Sequence, residues 1–407
     1  MKNILVAQSG GPTSAINATV AGIVEMAKIS GNIDKIYGAK NGILGVIEEN
    51  FIELNEKLKD TRDINLLYKT PSAALGSCRF KLQNISEHEE QYKNVIEVLR
   101  KYSISYFIYI GGNDSMDTVA RLNDYCSMKN INGINIIGAP KTIDNDLVET
   151  DHCPGFGSAA KYIATTFSEL EKDCSVYNTS SVIIVEVMGR NAGWLTASSA
   201  LARVNGGKGP NLIYLCERDF SVTEFITDVK EELANNNSVI VAISEGIKSS
   251  KGKYISEGVQ SGKKDAFGHS YIAGAGKVLE EIVRKEIGCK VRSIELNLMQ
   301  RCAGHIGSKI DLDESRVLGM KAFQCANEGN TGKMVAIKRI SSDPYKIEFV
   351  TIDINKVANL EKKVPLEWIN SKGNDINEEM IKYLKPLIQG EVSISYKNGI
   401  PEYMSLY

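Results

Sequence analysis

Residues 106–115 read YFIYIGGNDS: five apolar or aromatic positions, two glycines and a polar turn. A short run that is apolar on both faces is typical of a buried parallel strand. A helical pattern follows at 115–128, with Ser115 as the expected N-cap. The segment therefore predicts a strand, a glycine turn and a helix in that order, which is the repeating unit of α/β proteins.

The same succession recurs along the 407 residues. Apolar runs predict strands at 4–7, 106–110, 134–139, 182–187, 211–215, 239–243, 291–296 and 334–337. Helical patterns lie at 15–28, 90–101, 115–128, 222–234 and 271–285. This alternation predicts mostly parallel sheets, which bind ligands at the carboxyl ends of their strands. The polar, glycine-rich stretch 248–269 predicts a surface loop.

The composition is typical of a soluble globular protein, and its cysteines predict the cytoplasm as its location. A formal net charge of −2 favours neither nucleic acid nor an anionic membrane as a partner. The first apolar run is too short for a signal peptide, and no run approaches the length of a membrane span. Eight cysteines without a C-x-x-C pair predict reduced thiols. The chain is long enough for two domains that share an interface.

The first candidate phosphate loop is SGGPTS at residues 9–14, directly after the first predicted strand. Two glycines let the backbone approach a ligand, and the following helix offers free N–H groups to an anion. The segment matches neither the dinucleotide-binding fingerprint nor the P-loop. Taken alone, it fits a phosphate-binding turn and a plain structural turn equally well.

Two later loops carry carboxylates. Asp114 follows a second double glycine, where it could cap a helix, serve a metal or reject a ligand. In PKTIDND at 140–146, Lys141 precedes Asp144 and Asp146. One of these two carboxylates can accept the proton of an attacking sugar hydroxyl while the other orients a magnesium-bound phosphate. The alternative is a pair of solvated acids in a surface turn.

Charged residues also follow the later predicted strands. The segments EVMGR at 186–190 and SEG at 244–246 end two of them, and Arg292 and Arg301 bracket a third. Arginine grips phosphate through two parallel hydrogen bonds. Each of these residues alone also fits an ordinary surface ion pair, but their common position at strand ends favours a single site.

Taken in order, seven segments resemble the phosphofructokinase family over residues 1–332. They are SGGPTSAINA at 9–18, LGSCRF at 75–80, GGNDS at 111–115, PKTIDND, EVMGR, SEG and QR at 300–301. The resemblance implies two doubly wound domains with the active site in the cleft between them. It implies a donor domain of residues 1–150 plus about 300–350, and a sugar-phosphate domain of about 151–299 plus 351–407.

The resemblance also implies residue roles. Asp144 is expected to be the base that deprotonates the sugar 1-hydroxyl, with Lys141 and Asp114 acting beside it. The donor would be held by Gly11, Arg79, Gly112, Asp114 and Lys141. The sugar phosphate would be bound by Thr142, Ile143, Asp144, Asp146, Met188, Gly189, Arg190, Glu245, Arg292, Leu298 and Arg301. The residue like Arg292 comes from a neighbouring subunit in this family, which implies a homodimer or homotetramer with shared active sites.

The donor is implied by two positions. ATP-using members of the family typically have glycines where this chain has Asp114 and Lys141. A carboxylate at Asp114 would oppose the α-phosphate of a nucleotide, and Lys141 would neutralise pyrophosphate. The resemblance is therefore to the branch that uses pyrophosphate, and it implies a reversible, Mg²⁺-dependent phosphorylation of fructose 6-phosphate.

Three positions depart from the family pattern. Asn113 stands where an acidic metal ligand is usual, and it is the expected metal ligand here. Ser181 and Leu298 replace residues that commonly bind the 6-phosphate, which makes sedoheptulose 7-phosphate an additional candidate substrate. An ATP-dependent kinase and a non-catalytic regulatory subunit of the same fold are the alternative functions.

Overall fold

Two β-sheets and a small hairpin organise the protein, whose computed structural model describes residues 2–258 and 274–407. The strands of this part are β1 Lys2–Gln8, β2 Ile33–Ala39, β3 Phe51–Glu53, β4 Ile104–Gly111, β5 Asn135–Pro140, β6 Ser181–Val187, β7 Leu212–Tyr214, β8 Ser238–Ser244, β9 Lys290–Glu295, β10 Lys333–Ser342, β11 Tyr345–Asp353, β12 Tyr396–Lys397 and β13 Ile400–Pro401. Its α-helices are α1 Ile16–Ser30, α2 Gly42–Ile47, α3 Leu54–Lys57, α4 Thr61–Lys69, α5 Ile85–Lys101, α6 Asn113–Met128, α7 Phe156–Cys174, α8 Trp194–Ser198, α9 Val222–Asn235, α10 Ala275–Glu286, α11 Met299–Cys302, α12 Lys309–Asn327 and α13 Glu378–Leu384.

The first sheet has the strand order β11-β10-β5-β4-β1-β2-β3. Its inner pairs are parallel, and β11 and β3 close the two edges in antiparallel orientation. Strand β4 is buried along nearly its whole length because helices cover both faces of the sheet. The carboxyl ends of β1, β4 and β5 therefore lie side by side at one edge.

The second sheet has the order β7-β8-β6-β9 and is parallel throughout the described residues. Helices α7 and α8 pack on one face, and α9 and α10 pack on the other. The α/β class with mostly parallel sheets is therefore confirmed. No described helix has both the length and the apolar character that crossing a bilayer requires.

The predicted strands all occur, with ends that shift by one or two residues, except that β10 continues five residues beyond the prediction, to Ser342. Four predicted helices occur as α1, α5, α6 and α9; the fifth, predicted from residue 271, is described from Ala275 as α10. Residues 259–269 of the predicted loop 248–269 lie outside the described residues. All eight cysteines fall within the described residues and are free thiols.

The C-terminal segment packs against both sheets. Met380 and Leu384 of α13 belong to the core of the second sheet, whereas Ile354 and Leu406 are buried against the first. The expected placement of all residues 351–407 with the second sheet therefore differs from this packing at both ends. The reason is that β11 continues into the first-sheet core, and the apolar end of the chain returns to cover it.

Candidate active site

The carboxyl ends of the two sheets face one cavity of about 320 Å³. Loops after β1, β4 and β5 form one side, and loops after β6 and β8 form the other. The predicted site residues that line it are Gly11, Arg79, Gly112, Asn113, Asp114, Lys141, Thr142, Ile143, Asp144, Asp146, Met188, Arg190, Glu245 and Arg301. Three predicted residues lie outside this lining in the described structure: Gly189, Arg292 and Leu298.

The turn after β1 brings backbone and cations together. Gly10 has a φ of 77°, a left-handed conformation that glycine adopts without strain. Lys141, only 2% exposed, donates from Nζ to the carbonyl oxygen of Gly11 at 2.6 Å. A Cβ on Gly11 would lie 3.2 Å from Nη1 of Arg301. Two cations thus approach this turn, as an anion-binding loop requires.

The turn after β4 is equally tight. A Cβ on Gly111 would lie 1.9 Å from Oγ of Ser115, so this position excludes any side chain. Helix α6 begins at Asn113 with Gly112 as its N-cap and without a side-chain cap, so the N-cap prediction for Ser115 is wrong. The helix therefore begins three residues earlier than predicted, directly after the double glycine.

Asp114 lies in the first turn of α6 and faces Lys81, which is not among the predicted site residues. Nζ of Lys81 is 3.3 Å from Oδ1 of Asp114 and 3.7 Å from Oδ2 of Asp117. Both Lys81 and Asp114 are about two-fifths exposed, so their attraction is moderated by solvent. The carboxylate of Asp114 therefore lines the cavity with Lys81 as its counter-ion.

The loop after β5 presents two carboxylates. Oγ1 of Thr142 accepts from the backbone N–H of Asp144 at 3.1 Å. Asn145 has a φ of 56°, and it turns the chain between Asp144 and Asp146 so that both carboxylates line the cavity. Asparagine tolerates this left-handed conformation better than most residues do.

Electrostatics set the protonation of this loop. Burial, with the nearby charges of Asp146 and Glu245, raises the pKa of Asp144 to about 8, although Lys141 and Arg190 oppose the rise. Burial also lowers the pKa of Lys141 to about 8, against the attraction of Asp144 and Asp146. An acid whose pKa is raised beside a cation whose pKa is lowered, in one cavity, is typical of proton-transfer sites.

Asp146 has an oxygen without a partner. Its Oδ1 is buried and makes no hydrogen bond in the described structure. Burial is also the main reason that the pKa of this carboxyl is raised. A buried carboxylate oxygen with no donor fits a site for a hard cation.

The second sheet brings three of the sequence segments together. The backbone N–H of Met188 donates to Oε1 of Gln300 at 3.2 Å, and that of Gly189 donates to Oε1 of Glu245 at 3.3 Å. Gly189 therefore contacts a lining residue although it does not itself line the cavity. Arg190 and Glu245 face the cavity as predicted.

Arg292 and Leu298 lie away from the cavity. Arg292 is exposed on β9, one of the two edge strands of the second sheet in the described structure. Leu298 is 54% exposed and precedes α11. Within the described single chain, neither residue reaches the carboxylates of the β5 loop.

Seven more residues line the cavity: Ser9, Gly10, Pro12 and Ser115 belong to predicted segments without an assigned role, whereas Asn191, Ala192 and Glu361 lie outside those segments. Asn191 and Ala192 directly follow the EVMGR segment, so widening that motif by two residues finds them. Glu361 is different, since it belongs to the C-terminal segment that no motif covers. Nδ2 of Asn191 donates to its Oε1 at 2.9 Å, and the backbone of Leu147 pairs with it.

Comparison with known proteins gives a consistent result. The family model described as Phosphofructokinase matches residues 3–326. The chain is 38% identical to the pyrophosphate–fructose 6-phosphate 1-phosphotransferase of Xanthomonas campestris pv. campestris, and the match covers 99% of this chain and 96% of that protein. It is 39% identical, with the same coverage, to the enzyme of that name from Halomonas elongata. A solved pyrophosphate-dependent phosphofructokinase from Nitrosospira multiformis superposes with a TM-score of 0.87 at 35% identity, covering 99% of this chain and 95% of that one.

Proposed function

The chain belongs to the phosphofructokinase family, and from this we propose that it transfers a phosphoryl group from pyrophosphate to the 1-hydroxyl of fructose 6-phosphate. The products are fructose 1,6-bisphosphate and inorganic phosphate. Full-length relatives that carry the name of this activity support the proposal. The pyrophosphate and product ester bonds are similar in energy, so the reaction is expected to run in both directions.

The observation that carries the donor assignment is that Asp114 and Lys141 line the same cavity. Lys141 is buried and already bonded to the Gly11 turn, so its charge is fixed beside the site proposed for the transferring phosphoryl group. Asp114 stands at the start of α6, where a helix dipole and two glycines would otherwise favour a further phosphate. A carboxylate at that point repels this further phosphate, and so favours pyrophosphate over ATP as the donor.

The proposed mechanism uses the chain's own groups. Asp144 accepts the proton of the 1-hydroxyl as that oxygen bonds to the phosphorus and the bond to the leaving phosphate breaks. Its raised pKa makes the ionised carboxylate a stronger base than an ordinary aspartate, and the protonated form is the acid that the reverse reaction needs. Lys141, Arg79 and Gly11 would stabilise the charge that develops on the phosphates.

We propose Mg²⁺ as the metal, with Asp146 as its main protein ligand because its buried Oδ1 has no partner. When bound, the metal supplies charge neutralisation to the phosphates. Asn113 remains a predicted ligand. Its Oδ1 accepts from the backbone N–H of Asn359 at 2.7 Å, so one lone pair is left for a metal.

Further proposals concern the sugar and the assembly. The first sheet and its loops would bind the donor, and the second sheet and its loops the sugar. Because Arg292 is exposed on an edge strand, we place it in the sugar site of a neighbouring subunit of a homodimer or homotetramer. Sedoheptulose 7-phosphate is a candidate second substrate, because Ser181 and Leu298 replace residues that commonly bind the 6-phosphate in this family. A cytoplasmic location is supported by the free cysteines.

The proposal is tested by offering pyrophosphate and ATP side by side, each with fructose 6-phosphate and sedoheptulose 7-phosphate. We expect pyrophosphate to exceed ATP in kcat/KM by at least about 10²-fold, a difference of roughly 2.7 kcal/mol. The reverse reaction, from fructose 1,6-bisphosphate and phosphate, should proceed at a comparable rate. Preference for ATP, or no transfer from either donor, would reject the proposed function.

Arg301 provides a second test, because its guanidinium lies beside the Gly11 turn as well as facing the cavity. Arg301→Ala should raise the KM for fructose 6-phosphate about 10- to 100-fold, the loss of a charged hydrogen bond of roughly 1.5–3 kcal/mol. Arg284→Ala, on the exposed side of α10, is the matched control and should leave both KM values unchanged. If the KM for pyrophosphate rises instead, Arg301 binds the donor.

A further inference from the structure

Asn145, between the two aspartates of the β5 loop, is completely buried. Its Oδ1 accepts from the backbone N–H of Cys153 at 2.9 Å and from Nζ of Lys362 at 3.4 Å. Its Nδ2 donates to the hydroxyl of Tyr383 at 2.9 Å. The amide therefore bonds away from the cavity, and these contacts fix the turn that presents Asp144 and Asp146.

The ammonium group of Lys362 binds both this turn and the segment that follows it. Besides Asn145, Nζ donates to the carbonyl oxygens of Thr150 at 3.1 Å and Asp151 at 2.8 Å. Its backbone N–H donates to the carbonyl oxygen of Asp146 at 2.7 Å. Lys362 thus binds the loop on both sides of Asp146 through its side chain, and binds Asp146 itself through its backbone.

Tyr383 holds the same turn from the other side. Its hydroxyl accepts from Asn145 and donates to the carbonyl oxygen of Asp151 at 2.6 Å. Its ring packs against Trp194 and Trp368, with centroids 5.2 and 5.5 Å away. Because this aromatic cluster fixes the ring, the hydroxyl has a defined position from which to hold Asn145.

We propose that Lys362 and Tyr383 are positioning residues for the reaction, acting through Asn145 to set the places of Asp144 and Asp146. Both lie beyond residue 326, where the match to the family model ends. The proposal rests on the proposed function, in which Asp144 is the base. A misplacement of about 1 Å in such a group can cost about 10²-fold in rate, so small displacements of the turn should be visible in kcat.

A purely structural role is the competing explanation, and the chain offers a matched control for it. Lys161 on α7 is 9% exposed and has the same kind of surroundings. Its Nζ donates to the carbonyl oxygen of Gly390 at 2.6 Å and to Oε1 of Glu391 at 2.9 Å. It lies outside the cavity lining in the described structure, so removing it costs stability without displacing the carboxylates.

The experiment compares Lys362→Met, Tyr383→Phe and Lys161→Met in the full-length protein. For each, kcat, both KM values, Tm and the hydrogen exchange of peptides covering 141–153 are measured. We expect kcat to fall about 10²-fold in Lys362→Met and about 10-fold in Tyr383→Phe, with KM values within about threefold. Exchange at 141–153 should rise in both. Lys161→Met should lower Tm while leaving kcat within about twofold and this exchange unchanged.

Two results would overturn the proposal. In the first, kcat falls in proportion to the loss of Tm, and does so equally in Lys362→Met and in the control Lys161→Met. In the second, hydrogen exchange at 141–153 is unchanged in both Lys362→Met and Tyr383→Phe. If Lys362→Met does not fold, Tyr383→Phe decides, since it keeps the ring. If the wild type uses ATP in place of pyrophosphate, the donor assignment fails, but the same kcat comparison with ATP still tests the positioning. If no donor is used, the exchange measurement decides.

Discussion

Asp144→Asn should lower kcat by at least about 10²-fold, because the 1-hydroxyl loses the base that accepts its proton. Asparagine has nearly the same shape, and Thr142 Oγ1 still accepts the backbone N–H at this position, so the loop should keep its conformation. KM for both substrates should stay within a few-fold. The measurement is steady-state kinetics in both directions, and both should slow together.

The control for this variant is Asp124→Asn, an exposed carboxylate on α6 outside the cavity lining of the described residues. It should leave kcat unchanged. Near-normal kcat in Asp144→Asn, with the control also normal, would remove Asp144 from the mechanism and leave Asp146 as the remaining carboxylate of the loop.

Asp114→Gly should allow measurable turnover with ATP and lower kcat/KM for pyrophosphate. Two like charges about 4 Å apart repel by ~4 kcal/mol at an effective dielectric of 20, and this is an upper figure because Asp114 is partly exposed and paired. The structure adds a second effect. Removing the carboxylate takes away the nearer counter-ion of Lys81 and leaves Asp117, 3.7 Å away, so the lysine can attract the additional phosphate of a nucleotide more strongly.

Asp114→Asn separates charge from bulk in this prediction. It keeps the side-chain volume and removes only the negative charge, so a gain of ATP use in both variants identifies repulsion, and a gain in Asp114→Gly alone identifies space. ATP use that stays undetectable in both variants, with pyrophosphate use intact, would show that Asp114 is not the donor discriminator.

Much of the fold was predictable because its central strands are buried on both faces. Strands such as β4 and β8 appear in the sequence as unbroken apolar runs, and their ends locate the loops of the site. Strand β11 is not predicted, because it is an edge strand with alternating exposure and its sequence contains no unbroken apolar run like those of the central strands.

Helices α7 and α12 were missed for a different reason. Each buries polar side chains, which interrupts the apolar stripe of a typical surface helix. Asp311 of α12, for example, accepts the backbone N–H groups of Gly155 and Ser158 at the start of α7. Such partners are far apart in sequence, so a local pattern cannot reveal why the carboxylate is buried.

The candidate site was predictable where its residues follow strands in recognisable segments, as Lys141 and Asp144 do. Residues that reach it from elsewhere carried no local signal. Glu361 and Lys362 stand in the sequence EKK, which is typical of a solvated surface, and only the pairing of that segment with Leu147 places it at the cavity.

The bond between Asn145 and Tyr383 joins residues 238 positions apart, and this separation has a consequence for biosynthesis. At roughly 5–20 residues per second, a ribosome needs about 12–48 s to extend the chain from one residue to the other. The first sheet can begin to form during that interval, but the turn between the two aspartates lacks this partner until translation is nearly complete. A nascent chain that stalls before residue 383 would therefore contain all the family motifs but lack the hydrogen bond that holds the turn between Asp144 and Asp146.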